Sequence, residues 1–284
     1  MVRQQFLTGI PVFKILGLLV KNGFSVIYIL DAFRLLKVGF ISTLFGLVER
    51  LIHHRKIEKT QIIDDPVFII GHWRSGTTYL HKILAQDKSL ATPTFYQCAL
   101  PQSFIVSESK VKPVLAKTTQ ATRIFDAMAF GVDEPFDDEF AMLKLTACSR
   151  MLHFVFPVTP IFEDHTRFYH VNKHEWSRAF MAFAKKLTYV TGRRLLFKSP
   201  MNTMRIAELL EIFPKAKFIY IYRRPDNVFV SSLHQADKLF EHNELRKNTT
   251  DVKQFILSRY LSLFDRYKTQ KKLIPDSQLV EVAF

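Results

Sequence analysis

An α/β fold, a parallel β-sheet flanked by helices with a helical segment ahead of it, is predicted by three observations. Short apolar runs rich in β-formers stand at residues 67–70, 195–197 and 217–222, and each is followed by a helical pattern. The first run passes directly into a glycine-bracketed loop, Gly71 to Thr78. The residues before position 53 read instead as two helical patterns, roughly 10–30 and 32–53. Strands that alternate with helices are joined most economically as parallel neighbours with right-handed crossovers.

The composition bounds what such a chain can do. At 284 residues and 48% hydrophobic it holds ample material for one full-size core. Forty Lys and Arg against 26 Asp and Glu leave a formal charge of +14, which favours an anionic partner: a phosphorylated cofactor, an acidic lipid surface or nucleic acid. Charge alone does not choose among them. The two cysteines, Cys98 and Cys148, lie far apart, so neither a disulfide framework nor a Cys-based zinc site is indicated, and a reducing compartment is expected.

The first element is the Phe-, Leu- and Ile-rich stretch from Ile10 to Ile52. Lys14, Lys21, Asp31, Arg34, Lys37 and Glu49 interrupt it, so no uncharged run approaches the ~18 residues of a spanning helix. It also lacks the short apolar core and small-residue cleavage site of a signal peptide. Leu35, Leu36, Val38, Phe40, Ile41, Leu44 and Phe45 cover more than one helical face. Two readings stand: a helical pair packed on the main domain or a partner, or an in-plane contact with a membrane surface through residues 1–53. The polar stretch from His53 to Asp65, ending at Pro66, marks a boundary, giving a helical segment over 1–60 and an α/β domain over 61–284.

Within that domain Val67-Phe68-Ile69-Ile70 has the continuous apolarity of a strand buried on both faces, and Leu80, Ile83 and Leu84 place a helix after the loop. Residues from about 91 to 191 form a Phe-rich, mostly helical insertion, the natural source of a binding pocket. The strand Leu195-Leu196-Phe197 then passes through Lys198 into a helix with Ser199 as N-cap, Pro200 in the first position, and Ile206, Leu209, Leu210 and Phe213 on the buried face. Pro214 stops it. Lys217 to Tyr222 is a third strand, and Arg223-Arg224-Pro225-Asp226 turns into a helix bearing Val228, Phe229 and Ser231. The final Leu279 to Phe284 reads as a strand with nothing after it, as expected of a truncated chain.

The loop Gly71-His72-Trp73-Arg74-Ser75-Gly76-Thr77-Thr78 sits between strand and helix, where backbone N–H groups and a helix N-terminus can wrap a phosphate. Its frame is one residue from that of P-loop kinases. Thr77 stands at the place of the Walker lysine, which undercuts ATP chemistry, while Arg74 supplies charge inside the loop.

At these residues the sequence resembles the PAPS-dependent sulfotransferases, where PAPS is 3′-phosphoadenosine 5′-phosphosulfate. It looks most like the bacterial branch related to the Golgi carbohydrate and tyrosylprotein enzymes. Trp73-Arg74-Ser75-Gly76-Thr77-Thr78 looks like the family's 5′-phosphosulfate loop, and the segment from Tyr220 to Ser231 looks like its 3′-phosphate motif. The resemblance spans roughly residues 66–284 and leaves the first 60 unexplained. It implies the P-loop-like sulfotransferase fold. It further implies that Arg74, Ser75, Gly76, Thr77 and Thr78 hold the 5′ side of PAPS and that Arg223 and Ser231 hold the 3′-phosphate. An Arg at a strand end and a Ser two helical turns on can converge on one phosphate. Tyr79 falls where cytosolic members stack an aromatic on adenine, with core packing as the alternative.

Lys198-Ser199-Pro200 corresponds to the segment that supplies a catalytic lysine, but Pro200 stands where cytosolic members carry a general-base histidine. Golgi-type members use a glutamate instead, and the acidic cluster Asp133, Glu134, Asp137, Asp138 and Glu139 offers Glu139 as the base, the alternative being an acidic helix start that complements the dipole. His72 is expected to bond to loop backbone, and His81, His153, His165 and His170 show no metal-ligand spacing. No metal is expected, since cationic side chains suffice for the singly charged sulfuryl oxygens. The activity so implied is sulfuryl transfer to a hydroxyl or amine of a lipid, carbohydrate or other acceptor. The Phe-rich segments lean toward a lipid, without nucleic acid, in the cytoplasm or on the inner face of the membrane. A P-loop-type kinase and a non-catalytic, membrane-associated nucleotide-binding scaffold are the competing readings. The acceptor and the oligomeric state are not legible.

Overall fold

The computed structural model describes residues 6–119, 122–126, 128–157 and 165–284, with backbone alone for 165–172. Five parallel strands form one sheet: β1 (Val67–Gly71), β2 (Leu90–Ala91), β3 (Arg194–Lys198), β4 (Lys217–Tyr222) and β5 (Leu279–Ala283), in the order β2-β3-β1-β4-β5. The central strand β1 pairs with β3 on one side and β4 on the other, aligning Phe68 with Phe197 and Phe218. Those three rings stack at centroid separations of 5.5 and 5.6 Å, and Phe180 and Phe213 close over them. The apolar runs are thus buried on both faces, as continuous hydrophobicity in a parallel strand requires.

Among the described residues ten α-helices surround the sheet: α1 (Val12–Asn22), α2 (Ile29–Lys59), α3 (Thr77–Leu84), α4 (Phe95–Ala99), α5 (Phe104–Thr118), α6 (Glu139–Thr146), α7 (His165–Thr191), α8 (Ile206–Ile212), α9 (Pro225–Asn243) and α10 (Val252–Gln270). The segment expected to be one helix from Pro200 is divided: Ser199 caps a 3₁₀ turn at Pro200–Met204, its Oγ accepting from Met201 N at 3.2 Å, and α8 follows with Ile206, Leu209 and Phe213 buried. Of the expected apolar face of α3, Leu80 and Leu84 are partly buried against Ile69, Leu196 and Ile221, whereas Ile83 is exposed, and the fully buried residues are Thr77 and His81.

The N-terminal helices share a core with the α/β residues. Phe6, Leu7, Ile10, Ile15, Leu18, Leu19 and Leu35 pack in one cluster with Leu143, Phe154, Met201, Leu239 and Leu263. A Cβ at Gly39 would lie 2.8 Å from Ile10 O, so a side chain there would force α2 away from the chain entering α1. Buried Glu49 of α2 accepts from Ile105 N at 2.8 Å and Val106 N at 3.1 Å, which satisfies the start of α5, and pairs with buried Lys186 of α7. The opposite faces of α1, α2 and their connection remain outward. Val20, Leu30 and Leu51 are 81–86% exposed, with Phe13, Val26, Ile27 and Phe33 beside them in sequence. Among the described residues no helix is long and apolar enough to cross a membrane.

Candidate active site

The loop from β1 to α3 is held by unusual backbone and by hydroxyl groups. Gly71 (φ 145°), Arg74 (φ 68°) and Gly76 (φ 96°) all have positive φ, and a Cβ on Gly71 would run into Ile221 O. Ser75 Oγ lies 2.6 Å from His72 O and 3.1 Å from Ile221 O, so this hydroxyl ties the loop to the end of β4. Thr203, from the 3₁₀ turn, accepts from Gly71 N at 2.8 Å.

The two motifs read from the sequence meet. Arg74 Nε donates to Ser231 Oγ on α9 at 2.8 Å, and Arg223 Nη1 donates to Arg74 O at 3.4 Å. Residues expected at opposite ends of one ligand are therefore in direct contact. Two partners were not foreseen. Asp126 receives Arg74 Nη1 at 2.7 Å and Arg123 Nη2 at 2.6 Å, and Arg123 Nη1 reaches Thr78 Oγ1 at 3.3 Å. Burial opposes ionisation of Asp126, but the hydrogen bond from Arg74 and the charge of Arg123 outweigh it and hold the carboxyl below its ordinary value. The close spacing of Arg123, Phe125 and Asp126 was the available signal, and nothing in it indicated which helix they would face. Tyr79 is 56% exposed, which removes its core-packing alternative, and its ring lies 6.2 Å from that of Phe284. Phe284 lies against Gly76, and the Arg223 guanidinium is 5.0 Å from its ring centre.

The acidic cluster and Lys198 meet at the end of β3. Three consecutive carboxyls find three different partners. Asp137 Oδ2 lies 3.0 Å from Lys198 Nζ. Asp138 is fully buried and accepts from Asn202 Nδ2 at 2.9 Å; burial, then the neighbouring Asp137, push its pKa up to about 8. Glu139, chosen as base from the sequence, is 1% exposed: Arg205 binds its Oε2 at 2.5 Å and its Oε1 at 3.3 Å, and Ser149 Oγ donates to Oε1 at 2.6 Å. The carboxylate facing the lysine is that of Asp137, two residues earlier. Sequence spacing could not separate them, because the selection depends on Arg205 and Ser149, 66 and 10 positions away.

A cavity of about 660 Å³ joins these parts. Trp73, Arg74, Thr77 and Thr78 line it from the loop, Asp137, Glu139 and Lys198 from the acidic cluster and β3, and Phe6, Phe95, Phe130, Phe136, Phe140 and Phe154 give it apolar walls. His72 is not poised for proton transfer: burial, then the charge of Arg259, lower its pKa to about 3, and its Nδ1 lies 2.7 Å from Trp73 O, as expected of a neutral imidazole bonded to the loop. His81 is buried against Thr92 and His153 is stacked on Phe255, while the side chains of His165 and His170 lie outside the described residues.

A parallel sheet whose phosphate-type loop opens on a cavity with a paired lysine and carboxylate defines a group-transfer enzyme of the P-loop-like class. Residues 66–284 match the Sulfotransferase family, and the chain belongs to it. It is 30% identical, over 274 residues, to the omega-hydroxy-beta-dihydromenaquinone-9 sulfotransferase Stf3 of Mycobacterium bovis and of Mycobacterium tuberculosis, covering 94% of this chain and 70% of theirs. Its fold is similar to that of sulfotransferase STF9 from Mycobacterium avium (TM-score 0.64, 19% identity, 88% of this chain and 68% of that one). Sulfotransferase STF1 from Mycobacterium tuberculosis is similar too (TM-score 0.61, 15% identity, 96% and 77%). The enzyme is a transferase that moves a sulfuryl group to an acceptor, and the expected fold class holds.

Proposed function

We propose that the sulfuryl donor is PAPS and that the acceptor is the hydroxyl of a lipid met at a membrane surface. The observation that carries this reading is the convergence of Arg74, Arg123, Arg223 and Ser231 beside a phenylalanine-walled cavity containing Lys198 and Asp137. That donor set suits a ligand with two phosphate groups, because guanidinium and hydroxyl groups are strong partners for phosphate oxygens. The loop backbone with Arg74, Gly76, Thr77 and Thr78 would hold the 5′ side, Arg223 with Ser231 the 3′-phosphate, and exposed Tyr79 the adenine, while Ser75 keeps the loop tied to β4. PAPS supplies an activated sulfuryl group and departs as the 3′,5′-bisphosphate.

The chemistry asked of the protein is then local. Asp137 takes the proton of the acceptor hydroxyl as the oxygen–sulfur bond forms, and Lys198, 3.0 Å from it, meets the charge that develops on the bridging oxygen as the old bond breaks. Glu139, held by Arg205 and Ser149, fixes the start of α6 and so the position of Asp137. A lipid acceptor is supported by the apolar cavity walls, by the name of the relative Stf3, and by the outward apolar face of α1 and α2 interspersed with Lys21, Arg34 and Lys37. The test is transfer of radiolabelled sulfate from PAPS into a cell extract, followed by partition between organic and aqueous phases. Label in the organic phase is expected, and label confined to carbohydrate or protein would overturn the lipid reading. A rise in Tm with PAPS but not with ATP would separate this reading from a kinase.

A further inference from the structure

Arg259 of α10 lies on the wall of the same cavity and has no part in the chemistry above. It is 4% exposed. Its guanidinium sits 4.3 Å from the ring centre of Trp73 and 5.1 Å from that of Phe255, so aromatic faces hold the cation without giving its N–H groups an oxygen. Among the described residues no carboxylate pairs with Arg259 and no acceptor takes a hydrogen bond from it, and its Nε is enclosed without a partner. The charge that acts on it is another cation, buried Arg150 on the same cavity. Burial, then Arg150, push its pKa down to about 9, which leaves it charged at neutral pH. Gln235 of α9, also buried and on the same wall, has an Oε1 with no hydrogen-bond partner and brings no charge to balance the guanidinium.

A buried guanidinium without an anion is unfavourable unless a ligand supplies one. The donor's phosphates already have a set of their own in Arg74, Arg223 and Ser231. We infer that Arg259 is a specificity-determining residue that binds an anionic oxygen group, a carboxylate or a phosphate, carried by the acceptor at a distance from the hydroxyl that receives the sulfuryl group. This rests on the reading of the cavity as the acceptor site. The substrate class narrows to amphipathic hydroxyl compounds with an apolar body and an acidic group: the body lies along the phenylalanine walls, the anion caps Arg259 over Trp73, and the hydroxyl reaches Asp137.

The experiment compares a long-chain ω-hydroxy fatty acid with the fatty alcohol of equal length, both as sulfuryl acceptors and as ligands that change Trp73 fluorescence. In the wild type kcat/KM for the acid should exceed that for the alcohol by about tenfold or more. Arg259→Met should reduce that ratio by at least about tenfold, the loss falling on the KM of the acid, and Arg259→Lys should restore part of it. Equal preference in the wild type, or an Arg259→Met variant that weakens PAPS as much as the acid, overturns the inference. If the Met variant does not fold, the wild-type ratio and the Lys variant decide. Binding is read separately from turnover: an acid that binds through Arg259 without being sulfated upholds the subsite and strikes the acceptor reading instead.

Discussion

At the scale of single residues, Lys198 and Asp137 are assigned to the transition state and not to holding the donor. Lys198→Ala and Asp137→Asn should each lower kcat by roughly 10²–10⁴-fold while changing PAPS affinity little, the usual range for losing an electrostatic stabiliser or a general base. Glu139→Gln should instead show itself first in stability, since it breaks a buried charge pair with Arg205. A thermal melt beside steady-state kinetics separates the two: a large loss of kcat in a normally stable Glu139→Gln enzyme would return the base to Glu139. On the donor side, Arg223→Ala should weaken PAPS by ~1.5–3 kcal/mol and adenosine 5′-phosphosulfate, which lacks the 3′-phosphate, far less. Equal weakening would remove Arg223 from the 3′ site. The residues in recognisable local frames, Arg74 to Thr78 and Arg223 to Ser231, were legible because strand, loop and helix are contiguous there. Asp126, Arg123, Arg205 and Arg259 were not, because each acts through a partner brought near only by tertiary folding.

At the scale of elements, the strands were legible because burial on both faces leaves a continuous apolar run, and α2 was legible as a helix but not in its partners. Its apolar residues cover more than one face because it has two jobs. Leu35 packs into the core, Glu49 satisfies the start of α5, and Leu30 and Leu51 stay outside. Deleting residues 1–53 is therefore a poor test of membrane contact, since it would remove Ile15, Leu18, Leu19 and Leu35 from the core, each worth about 1.5–3 kcal/mol when buried, and uncover Leu143, Phe154 and Leu239. The paired substitution Val26→Glu and Leu30→Glu touches only the outward face, where these residues are 79% and 81% exposed. It should leave Tm nearly unchanged and reduce co-sedimentation with phosphatidylglycerol vesicles by about tenfold or more. Wild-type protein that ignores such vesicles at low salt would assign this face to a protein partner.

At the scale of the molecule, the sheet order puts the loop after β1 where connections leave in opposite directions, from β1 to β2 on the far side of β3 and from β3 past β1 to β4, the position at which open α/β sheets bind ligands. The same geometry concentrates charged groups in a buried centre, and several of them make global stability depend on pH, Asp138 among them. Asp138 ionises near its ordinary value of 3.8 when unfolded and near about 8 when folded. Between those values the unfolded chain has released the proton and the native chain keeps it, so the unfolded state binds fewer protons and stability falls as pH rises through this window. Asn in its place mimics the protonated carboxyl and can still accept from Asn202 through its amide oxygen. Asp138→Asn should therefore gain on the wild type, by an amount on the order of a few kcal/mol, as pH is raised from about 5 to about 8. Buried His72 and His153, whose folded values lie at about 3 and about 4, lower stability in acid, and buried Lys144, pushed down to about 7, raises it above that pH; all three act in both proteins alike and cancel in the difference. Thermal melts of the two proteins across that pH range measure this directly. A constant difference in Tm would show that Asp138 stays charged in the folded protein, and that the lysine beside Asp137 also neutralises its neighbour.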